Sequence, residues 1–419
     1  MVLATMLALP LIVETGAVSA SPGVANESTT SNVTASTASL PEGGRGRIRH
    51  LPFRPQAIRG HYIAVFRDEA TVRNPVRALV RQFLRRHPQI VVQRLFYLWV
   101  RGFHFRATPA LAARIAADRR VAFVQPDFVH HAQVLPVTGA QNRPPSWGLD
   151  RIDQRTEPLD SRYVFPGDGS GVNAYIIDSG IRPSHREFGG RAVAAVDFTG
   201  EGNQDCAGHG THVAGTIGGT NVGVAKGVRL VGLKVPGCDN SGSTSNIIAA
   251  LDWVARYGQR PGVINMSLGH PGDDEALSKA TYGAFEAGFN VVVAAGNYAE
   301  DACGVSPAQE GQVITVGATN QNDSRDTQYS DYGQCLNIFA PGTNIYSAWP
   351  ASDSSYETMS GTSMATPHVV GALAVIRGQH PDYSAVQAYQ CLTGLATRNV
   401  LGSVGSGSPN RLLFIRDRC

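Results

Sequence analysis

The chain has 419 residues, of which 42% are hydrophobic; it exceeds one ordinary domain and can bury a sizeable core. Residues 1–131 contain 17 arginines and 7 acidic residues, whereas residues 132–419 contain 19 basic and 26 acidic residues. The arginines of the first part are spread out and match no RNA-binding motif, which argues against a nucleic-acid partner. A basic segment that docks on an acidic sister domain accounts for both halves.

The first 60 residues are predicted to be a targeting segment followed by a linker. The short apolar run 2–13 and the small residues 18–20 are typical of a signal peptide over 1–20 rather than of a membrane span, which needs about 20 apolar residues. No basic residue precedes the run, so a different start remains an alternative. Residues 21–44 are rich in Ser, Thr, Gly and Pro, and we expect a disordered linker over 21–60. We therefore expect a secreted, extracellular protein with no membrane anchor.

Residues 61–131 are predicted to form a small α+β domain. Residues 62–66 and 121–127 have the pattern of strands, 95–105 alternate as strands do, and 76–84 and 109–117 have helical spacing. Their β-α-β-β-α-β order is typical of the ferredoxin-like split motif. Residues 132–146 follow as an exposed linker.

Residues 147–419 alternate strands with helices. The predicted strands are 172–177, 230–235, 262–266, 291–295 and 313–316, and the predicted helices between them are 211–218, 244–257 and 275–287. This alternation predicts an α/β domain with a doubly wound parallel sheet. Ligands of such sheets bind at the carboxyl ends of the strands. Asp178, Ser267 and Asn297 each follow a predicted strand, so we expect them to share one cleft.

Ser363 lies where a loop, Gly-Thr-Ser-Met-Ala-Thr-Pro-His over 361–368, meets an apolar run with helical spacing over 369–376. A helix N-terminus favours negative charge, but a serine hydroxyl is a poor nucleophile unless a base takes its proton. In α/β-hydrolases the acid and then the histidine follow the serine. After Ser363 no histidine follows an acidic residue, which excludes that order.

Upstream, Asp178 ends an apolar run, and His209 lies in Gly-His-Gly-Thr-His-Val-Ala-Gly over 208–215. Taken singly, these residues could be a turn aspartate, an exposed histidine and, at Ser363, a helix cap. Together, Asp178, His209 and Ser363 follow the order of the subtilisin triad. Their contexts resemble the subtilase family, most closely its proteinase K and aqualysin branch, from about Trp147 to Gly394.

The resemblance implies a serine endopeptidase that needs no cofactor for catalysis. In the family, the histidine removes the serine proton and the aspartate fixes the imidazole tautomer. Asn297, in Val-Val-Val-Ala-Ala-Gly-Asn, matches the family's oxyanion donor; a turn residue is the alternative. His212 with His209 does not match the H-E-x-x-H zinc motif, so we expect His212 to pack within its helix.

The resemblance also implies how peptide and protein substrates bind. Two segments, 240–243 and 267–269, are similar to those that pair with an extended substrate as added strands. The ranges 267–269 and 294–296 contain no acidic residue, so we expect broad cleavage after apolar or aromatic residues. The residues implied in substrate binding are Ser241, Gly242, Ser267, Leu268, Gly269 and Gly296.

All six cysteines lie after residue 200, and an even count behind a signal peptide indicates disulfides. Zinc is the alternative, although the cysteines show no short C-x-x-C spacing. The resemblance implies that Cys206 pairs with Cys238 and Cys303 with Cys335, which leaves Cys391 with Cys419.

Family members often bind structural calcium, and one such site resembles the group Asp150, Asp153, Gln154 and Asp160. Arg162 replaces a family ligand there, and a solvated surface turn is the alternative interpretation. At a second family site Asn337 stands in place of an aspartate. A hard cation prefers charged oxygen ligands, so we expect that second site to be weakened.

The domain over 61–131 resembles the inhibitory prosegment of subtilases, which is cut off in the linker and acts as an intramolecular chaperone and inhibitor. The resemblance thus implies that the full chain is the zymogen of a monomeric protease. Two other interpretations remain: a non-catalytic binding or chaperone protein with a subtilase fold, and a specific processing protease. The intact triad with Asn297 argues against the first, and the lack of acidic pocket residues argues against the second.

Overall fold

A computed structural model describes residues 47–48, 57–132, 135–136, 146–417 and 419. The predicted signal peptide, most of the linker over 21–60 and most of the linker over 132–146 lie outside these residues. We call residues 57–132 the N-terminal region and residues 146–419 the C-terminal region. In the part of the chain just given, no helix has both the length and the apolar character needed to cross a bilayer.

The N-terminal region has the predicted β-α-β-β-α-β order, and its sheet runs β5-β2-β4-β3 with antiparallel neighbours. Its elements, with a preceding short strand, are β1 Arg47–Ile48, β2 Ala57–Phe66, α1 Asp68–Arg73, α2 Val76–Arg86, β3 Val91–Phe96, β4 Gly102–Arg106, α3 Pro109–Ala116 and β5 Val121–Ala132. The alternating stretch 95–105 is divided between β3 and β4, and β5 runs five residues beyond its predicted end.

Helices α2 and α3 cover one face of this sheet. Thr108 accepts a hydrogen bond from the Leu111 N–H and Pro109 opens α3, both typical of a helix start. The core between helices and sheet is apolar and strongly aromatic. Its largest buried side chains are Phe66, Phe83, Phe103, Phe105, Leu79 and Ile115.

The C-terminal region contains a mainly parallel sheet in the order β19-β20-β16-β15-β13-β11-β7-β9-β8, which confirms the predicted α/β architecture. A short strand, β6 Leu135–Pro136, precedes this region. The first elements of the region itself, in chain order, are α4 Trp147–Ile152, β7 Asn173–Asp178, β8 Ala192–Asp197, α5 His209–Gly218, β9 Arg229–Lys234, β10 Ser241–Ser243, α6 Thr244–Tyr257, β11 Gly262–Met266, β12 Leu268–Pro271 and, last of these, α7 Glu275–Glu286. Those after it are β13 Asn290–Ala294, β14 Val305–Ser306, β15 Ile314–Thr319, β16 Ile338–Pro341, β17 Ile345–Trp349, β18 Ser355–Ser360, α8 Thr362–Gln379, α9 Ala385–Leu395, β19 Thr397–Arg398 and β20 Arg411–Leu412.

Helices cover both faces of the parallel sheet. Helix α8 packs on one face and is buried from Thr362 to Arg377, because small residues let α5 and the sheet approach it closely. Gly371, for example, lies against Val224 with no room for a methyl group. Helices α6 and α7 pack on the opposite face. The strands are therefore apolar on both sides, as expected for a buried parallel sheet.

The free face of the N-terminal sheet packs on α6 and α7. Ile63, Val65, Phe96 and Phe123 join the same apolar cluster as the buried side chains of these two helices. Polar contacts surround that cluster. Arg94, for instance, donates hydrogen bonds to Phe198 O, Ser245 O and Asn246 Oδ1.

Two polar side chains of β5 lie at the N-termini of α6 and α7. Asp127 accepts hydrogen bonds from the N–H of Ser245, at 3.0 Å, and from its hydroxyl, at 2.7 Å. Gln125 accepts from the Ala276 N–H at 3.1 Å and donates to Asp274 Oδ1 at 2.6 Å. The first turn of a helix has unpaired N–H groups, so β5 supplies capping partners to both helices.

Three disulfides join Cys206 to Cys238, Cys303 to Cys335, and Cys391 to Cys419. The first two are the pairs that the family resemblance implied, and the third is the pair that remained. The second bond ties the loop after Asn297 to the turn before β16, and the third ties α9 to the C-terminus.

Candidate active site

Asp178 and His209 form a buried pair at the centre of the C-terminal region. Asp178 is the last residue of β7 and His209 the first of α5. Asp178 Oδ1 lies 2.7 Å from His209 Nδ1 and also accepts a hydrogen bond from the Ser179 N–H. Among the described residues, His209 Nε2 has no hydrogen-bond partner. This nitrogen is therefore available to a further group.

The turn before His209 is held by an acidic residue that the sequence analysis did not single out. Asp205 is buried and accepts hydrogen bonds from the N–H groups of Gly208 and Thr211 and from the hydroxyl of Ser179. Gly208 has φ +92°, and a Cβ atom there would lie 2.2 Å from the Trp349 ring. Glycine and Asp205 together fix where His209 begins its helix.

Ser363 is the second residue of α8, as the sequence predicted, and it is fully buried. Its hydroxyl donates to Ser267 O at 3.1 Å, and the Ser267 hydroxyl donates to Ser363 O at 2.9 Å. The carbonyl of Ser363 is open to Ser267 because Pro367, four residues on, has no N–H to donate. This reciprocal pair joins the start of α8 to the start of β12.

Asn297 follows β13 and faces the start of α8. Its Oδ1 accepts hydrogen bonds from the Thr362 N–H and the Thr362 hydroxyl, both at 2.9 Å. These two bonds fix the amide so that its nitrogen points the other way. Within the described chain the buried Nδ2 has no acceptor. The Asn297 Nδ2 group is thus oriented by Thr362, the residue before Ser363, and has no acceptor among the described residues.

A buried carboxylate, Asp331, contacts the backbone that follows Asn297. Its Oδ1 accepts from the N–H groups of Tyr298, at 2.8 Å, and Glu300, at 3.0 Å. Its Oδ2, which has no partner among the described residues, lies 2.0 Å from where a Cβ of Gly296 would be. Burial raises the pKa of Asp331 to about 6. Sequence reasoning missed this acid because it is far from 294–296 along the chain.

The predicted substrate-binding segments lie on either side of the end of β5. Ser241, Gly242 and Ser243 of β10 pair antiparallel with His131, His130 and Val129. On the other side, Leu268 and Gly269 of β12 pair with Ala132 and His131. The end of β5 thus forms the middle strand between β10 and β12. We call the space that it fills the cleft.

The chain reappears beyond the cleft as β6. Leu135 pairs with Ser360 and Pro136 with Met359, in the strand that leads directly into Gly361 and Ser363. Residues 133 and 134, between the two paired segments, lie outside the described residues. Both segments belong to the continuous stretch from β5 to β6, which therefore approaches Ser363 from both sides.

His212 packs within the protein, as the sequence predicted. Its Nε2 lies 3.0 Å from Ile345 O and 3.2 Å from Glu357 O. Burial lowers the pKa of His212 to about 3, so the ring is neutral. A neutral Nε2–H that donates to two carbonyls leaves no metal-binding function for this atom.

The group proposed to bind calcium comes together where α4 ends and the next loop begins, with Asp150 in the helix and Asp153 as its C-cap. Asp150 accepts from the Ser161 N–H, Asp153 from the Val164 N–H, and Gln154 Oε1 from the Asp160 N–H. Asp150 Oδ1 and Asp153 Oδ1 are buried without a partner among the described residues. Burial raises the pKa of both aspartates, and the nearby charge of Asp160 adds to it. Closely placed hard oxygen donors of this kind fit a calcium ion.

Asn337, at the second family site, forms hydrogen bonds with neutral groups. Its Oδ1 accepts from the Thr315 N–H at 2.7 Å, and its Nδ2 lies 3.3 Å from the Tyr389 hydroxyl. The amide links the start of β15 to α9.

Comparisons with known proteins agree on one family. The model of the subtilase family, peptidase S8, matches residues 169–410. The chain is 45% identical over 378 residues to an extracellular serine proteinase of Thermus sp. (strain Rt41A), covering 86% of this chain and 90% of that protein. It is 43% identical over 327 residues to alkaline serine exoprotease A of Vibrio alginolyticus, covering 78% of this chain and 60% of that protein.

Among solved structures, the chain is similar to a cold adapted subtilisin-like serine proteinase. That crystal structure has a TM-score of 0.62 and 47% identity, and the match covers 64% of this chain and 97% of the other. The matched family model spans more than half of the sequence and includes the Asp178, His209 and Ser363 contexts. The chain therefore belongs to the subtilase family and is a subtilisin-like serine proteinase.

Proposed function

We propose that this protein is a secreted serine endopeptidase whose Asp178–His209–Ser363 triad cleaves peptide bonds through an acyl-enzyme. The observation that carries the proposal is the buried Asp178–His209 pair at 2.7 Å, with the opposite ring nitrogen unpaired among the described residues. A histidine held in this way presents a basic nitrogen of fixed direction. Ser363 lies at the start of α8, a helix that packs against α5.

In the proposed reaction, Ser363 Oγ attacks the peptide carbonyl while His209 Nε2 takes its proton. Asp178 holds the Nδ1–H and stabilises the imidazolium that forms. The negative charge on the carbonyl oxygen is met by the Ser363 N–H and by Asn297 Nδ2. His209 then gives its proton to the leaving amine, and water hydrolyses the ester by the same steps in reverse order.

Substrate is proposed to bind as a strand between β10 and β12. Ser241, Gly242, Leu268 and Gly269 pair there with residues 129–132 of the chain itself, which supports the assignment. Main-chain pairing recognises an extended shape, so pockets must set any preference. Ser267 and Gly296 are proposed to border the pocket for the side chain before the cut, and we propose broad cleavage with an apolar or aromatic preference there.

The chain is further proposed to be an autoprocessed zymogen. Its parts are a signal peptide over 1–20, a linker over 21–60, an inhibitory propeptide over 61–131, a processing linker over 132–146 and a peptidase domain over 147–419. The entry of β5 into the cleft and its capping of α6 and α7 support an inhibitory and chaperone role for the propeptide. Lys279 of the peptidase side lies 3.7 Å from Asp68 of the N-terminal region, an ion pair that joins the two regions.

Secretion and calcium binding complete the proposal. The names of the Thermus and Vibrio relatives, extracellular proteinase and exoprotease, support an extracellular location. For calcium, the donors would be Asp150, Asp153, Gln154 and Asp160, which would add stability rather than chemistry. The enzyme is proposed to act as a monomer.

Incubation of the purified protein with casein, with and without phenylmethylsulfonyl fluoride, tests the catalytic proposal. We expect cleavage that the inhibitor abolishes and that Ser363→Ala lacks, because the covalent step needs the hydroxyl. If purified Ser363→Ala cuts casein at the parent rate, the mechanism is wrong. If the parent protein does not cut casein and an active-site serine probe does not label it, a non-catalytic binding function takes its place.

A further inference from the structure

Two histidines and one aspartate of the N-terminal region converge on one point in the contact with the peptidase. His61 lies on β2, His104 on β4 and Asp127 on β5, and these strands are neighbours in the sheet. His61 Nδ1 lies 3.1 Å from His104 Nε2, and His104 Nε2 lies 3.3 Å from Asp127 Oδ2. One atom from each side chain lies within 4.8 Å of the others.

The two shorter distances, 3.1 and 3.3 Å, are close to those between ligands of a tetrahedral metal ion. Zinc binds imidazole nitrogen and carboxylate oxygen at about 2.0–2.1 Å, so its ligand atoms are separated by about 3.3–3.4 Å. Two neutral rings and a carboxylate are also the donor set that zinc and similar transition metals accept. Hard cations such as calcium prefer oxygen ligands alone.

We propose that His61, His104 and Asp127 form a binding site for a divalent transition-metal ion of the zinc class. The three residues border a cavity of about 290 Å³, which reaches Phe198 and Ser243 of the peptidase. A cavity of that size holds water that can complete the coordination of the ion. The site thus has three protein ligands and access for a fourth.

The charged surroundings are compatible with a bound cation. Asp127 is 1% exposed, and its carboxylate forms hydrogen bonds only with neutral Ser245 groups among the described contacts with the peptidase. Arg94 lines the same cavity, and its guanidinium donates hydrogen bonds to neutral oxygens of the peptidase.

A bound ion would act on the strand that enters the cleft. Asp127 precedes the cleft-bound residues 129–132 and caps α6 through Ser245. An ion that joins β2, β4 and β5 at this point would fix the sheet in the form that docks on the peptidase. The bound ion should therefore slow the dissociation of the N-terminal region from the peptidase. This consequence rests on the proposed prosegment role, whereas metal binding itself does not.

The direct test is calorimetric titration of Zn²⁺ into the Ser363→Ala full chain, which cannot cut itself if the triad proposal holds. We expect one site, and His61→Ala and His104→Ala should each weaken it at least about tenfold, because each removes one ligand. His87→Ala, in the same region but outside the cluster, is the matched control and should leave the affinity unchanged. Ca²⁺ should give no signal that depends on His61.

Because His104 is buried, its variant could lose its fold, so His61→Ala carries the result and thermal unfolding without metal checks all variants. Zn²⁺ should raise the unfolding temperature of the Ser363→Ala chain but not that of its His61→Ala form. Co²⁺ should give the visible absorption bands of a tetrahedral site, absent in His61→Ala. Equal zinc affinity with and without His61, or no zinc binding at millimolar concentration, overturns the metal site. Zinc that binds but does not slow the release of residues 45–135 from the processed protease instead overturns only its link to the prosegment.

Discussion

Two hydrogen bonds from Thr362 fix the orientation of Asn297, the proposed oxyanion donor. Thr362 uses the amide oxygen twice, so the nitrogen is the part left to meet a substrate oxyanion. Loss of one such donor costs about 2.7–4 kcal/mol in the barrier, a value measured on subtilisin itself. Asn297→Ala should therefore lower kcat about 10²–10³-fold with little change in KM.

Steady-state kinetics on a chromogenic peptide measures this effect, with Asn322→Ala on an exposed loop as the control. An unchanged kcat in Asn297→Ala would remove Asn297 from the oxyanion site. A rise in KM alone would instead assign it to substrate binding.

Asp331 should set a pH dependence of stability. Burial raises its pKa to about 6, so the folded protein disfavours the ionised form. The resulting penalty is absent below the unfolded pKa near 4 and is fully present above pH 6. Asp331→Asn keeps an acceptor for the Tyr298 and Glu300 N–H groups and removes the charge, so it should stabilise the fold by about 1–3 kcal/mol at pH 8.

Thermal unfolding of Asp331→Asn in the Ser363→Ala background, at pH 4 and pH 8, checks the sign. The gain should be present at pH 8 and small at pH 4. A loss of stability at pH 8 would mean that the charge itself holds the loop after Asn297.

Among the helices and strands, the sequence predicts those whose hydrophobic pattern and capping residues lie within or next to the element itself. Helix α6 has the predicted bounds because Ser243 caps it and its apolar face repeats regularly. Strand β8 was not predicted, since its alanines and valines are half-buried and lack a long apolar run. Asp205 and Asp331 were also missed, because their roles depend on turns that are close only in the folded chain.

The loop after α4 should make stability depend on calcium. Two buried oxygens at its start, on Asp150 and Asp153, have no hydrogen-bond partner among the described residues and lie where a cation would offset the charge. Binding to the native state adds RT ln(1 + [L]/Kd), about 2.7 kcal/mol at 100 times Kd. A chelator should lower the unfolding temperature of the parent, and Asp153→Ala should lose most of that response.

Asp382→Ala, an exposed acid outside the loop, should respond to the chelator as the parent does. An equal chelator effect in Asp153→Ala would place the stabilising ion elsewhere, for example near Asn337. No effect in the parent would remove calcium from the proposal.

At the scale of the whole molecule, residues 45–135 added to the processed protease should inhibit it. The β5 strand fills the space between β10 and β12, and its Asp127 caps α6 through two hydrogen bonds. Asp127→Ala should weaken inhibition about tenfold or more, since charge-assisted hydrogen bonds are each worth about 1.5–3 kcal/mol. Glu69→Ala, exposed and remote from the cleft, should inhibit like the parent.

Inhibition is measured as loss of peptide hydrolysis against added segment. No inhibition at micromolar concentration would contradict the prosegment role. Self-cleavage should fall between Ala132 and Leu135, the ends of the two paired segments, and the uncut Ser363→Ala chain should accumulate. Mass spectrometry of the new termini tests the position.

The strand in the cleft is joined by peptide bonds to the protein whose cleft it fills. Its effective concentration there is therefore set by the chain and not by the amount of protein in solution. Dilution therefore leaves an uncut molecule blocked, and the proposed first cut would be a first-order event within each molecule. Once that bond is broken, the same contacts become an ordinary bimolecular equilibrium, and release then depends on volume. One backbone cleavage would thus convert an inhibition that is independent of dilution into one that dilution in the surrounding medium can reverse.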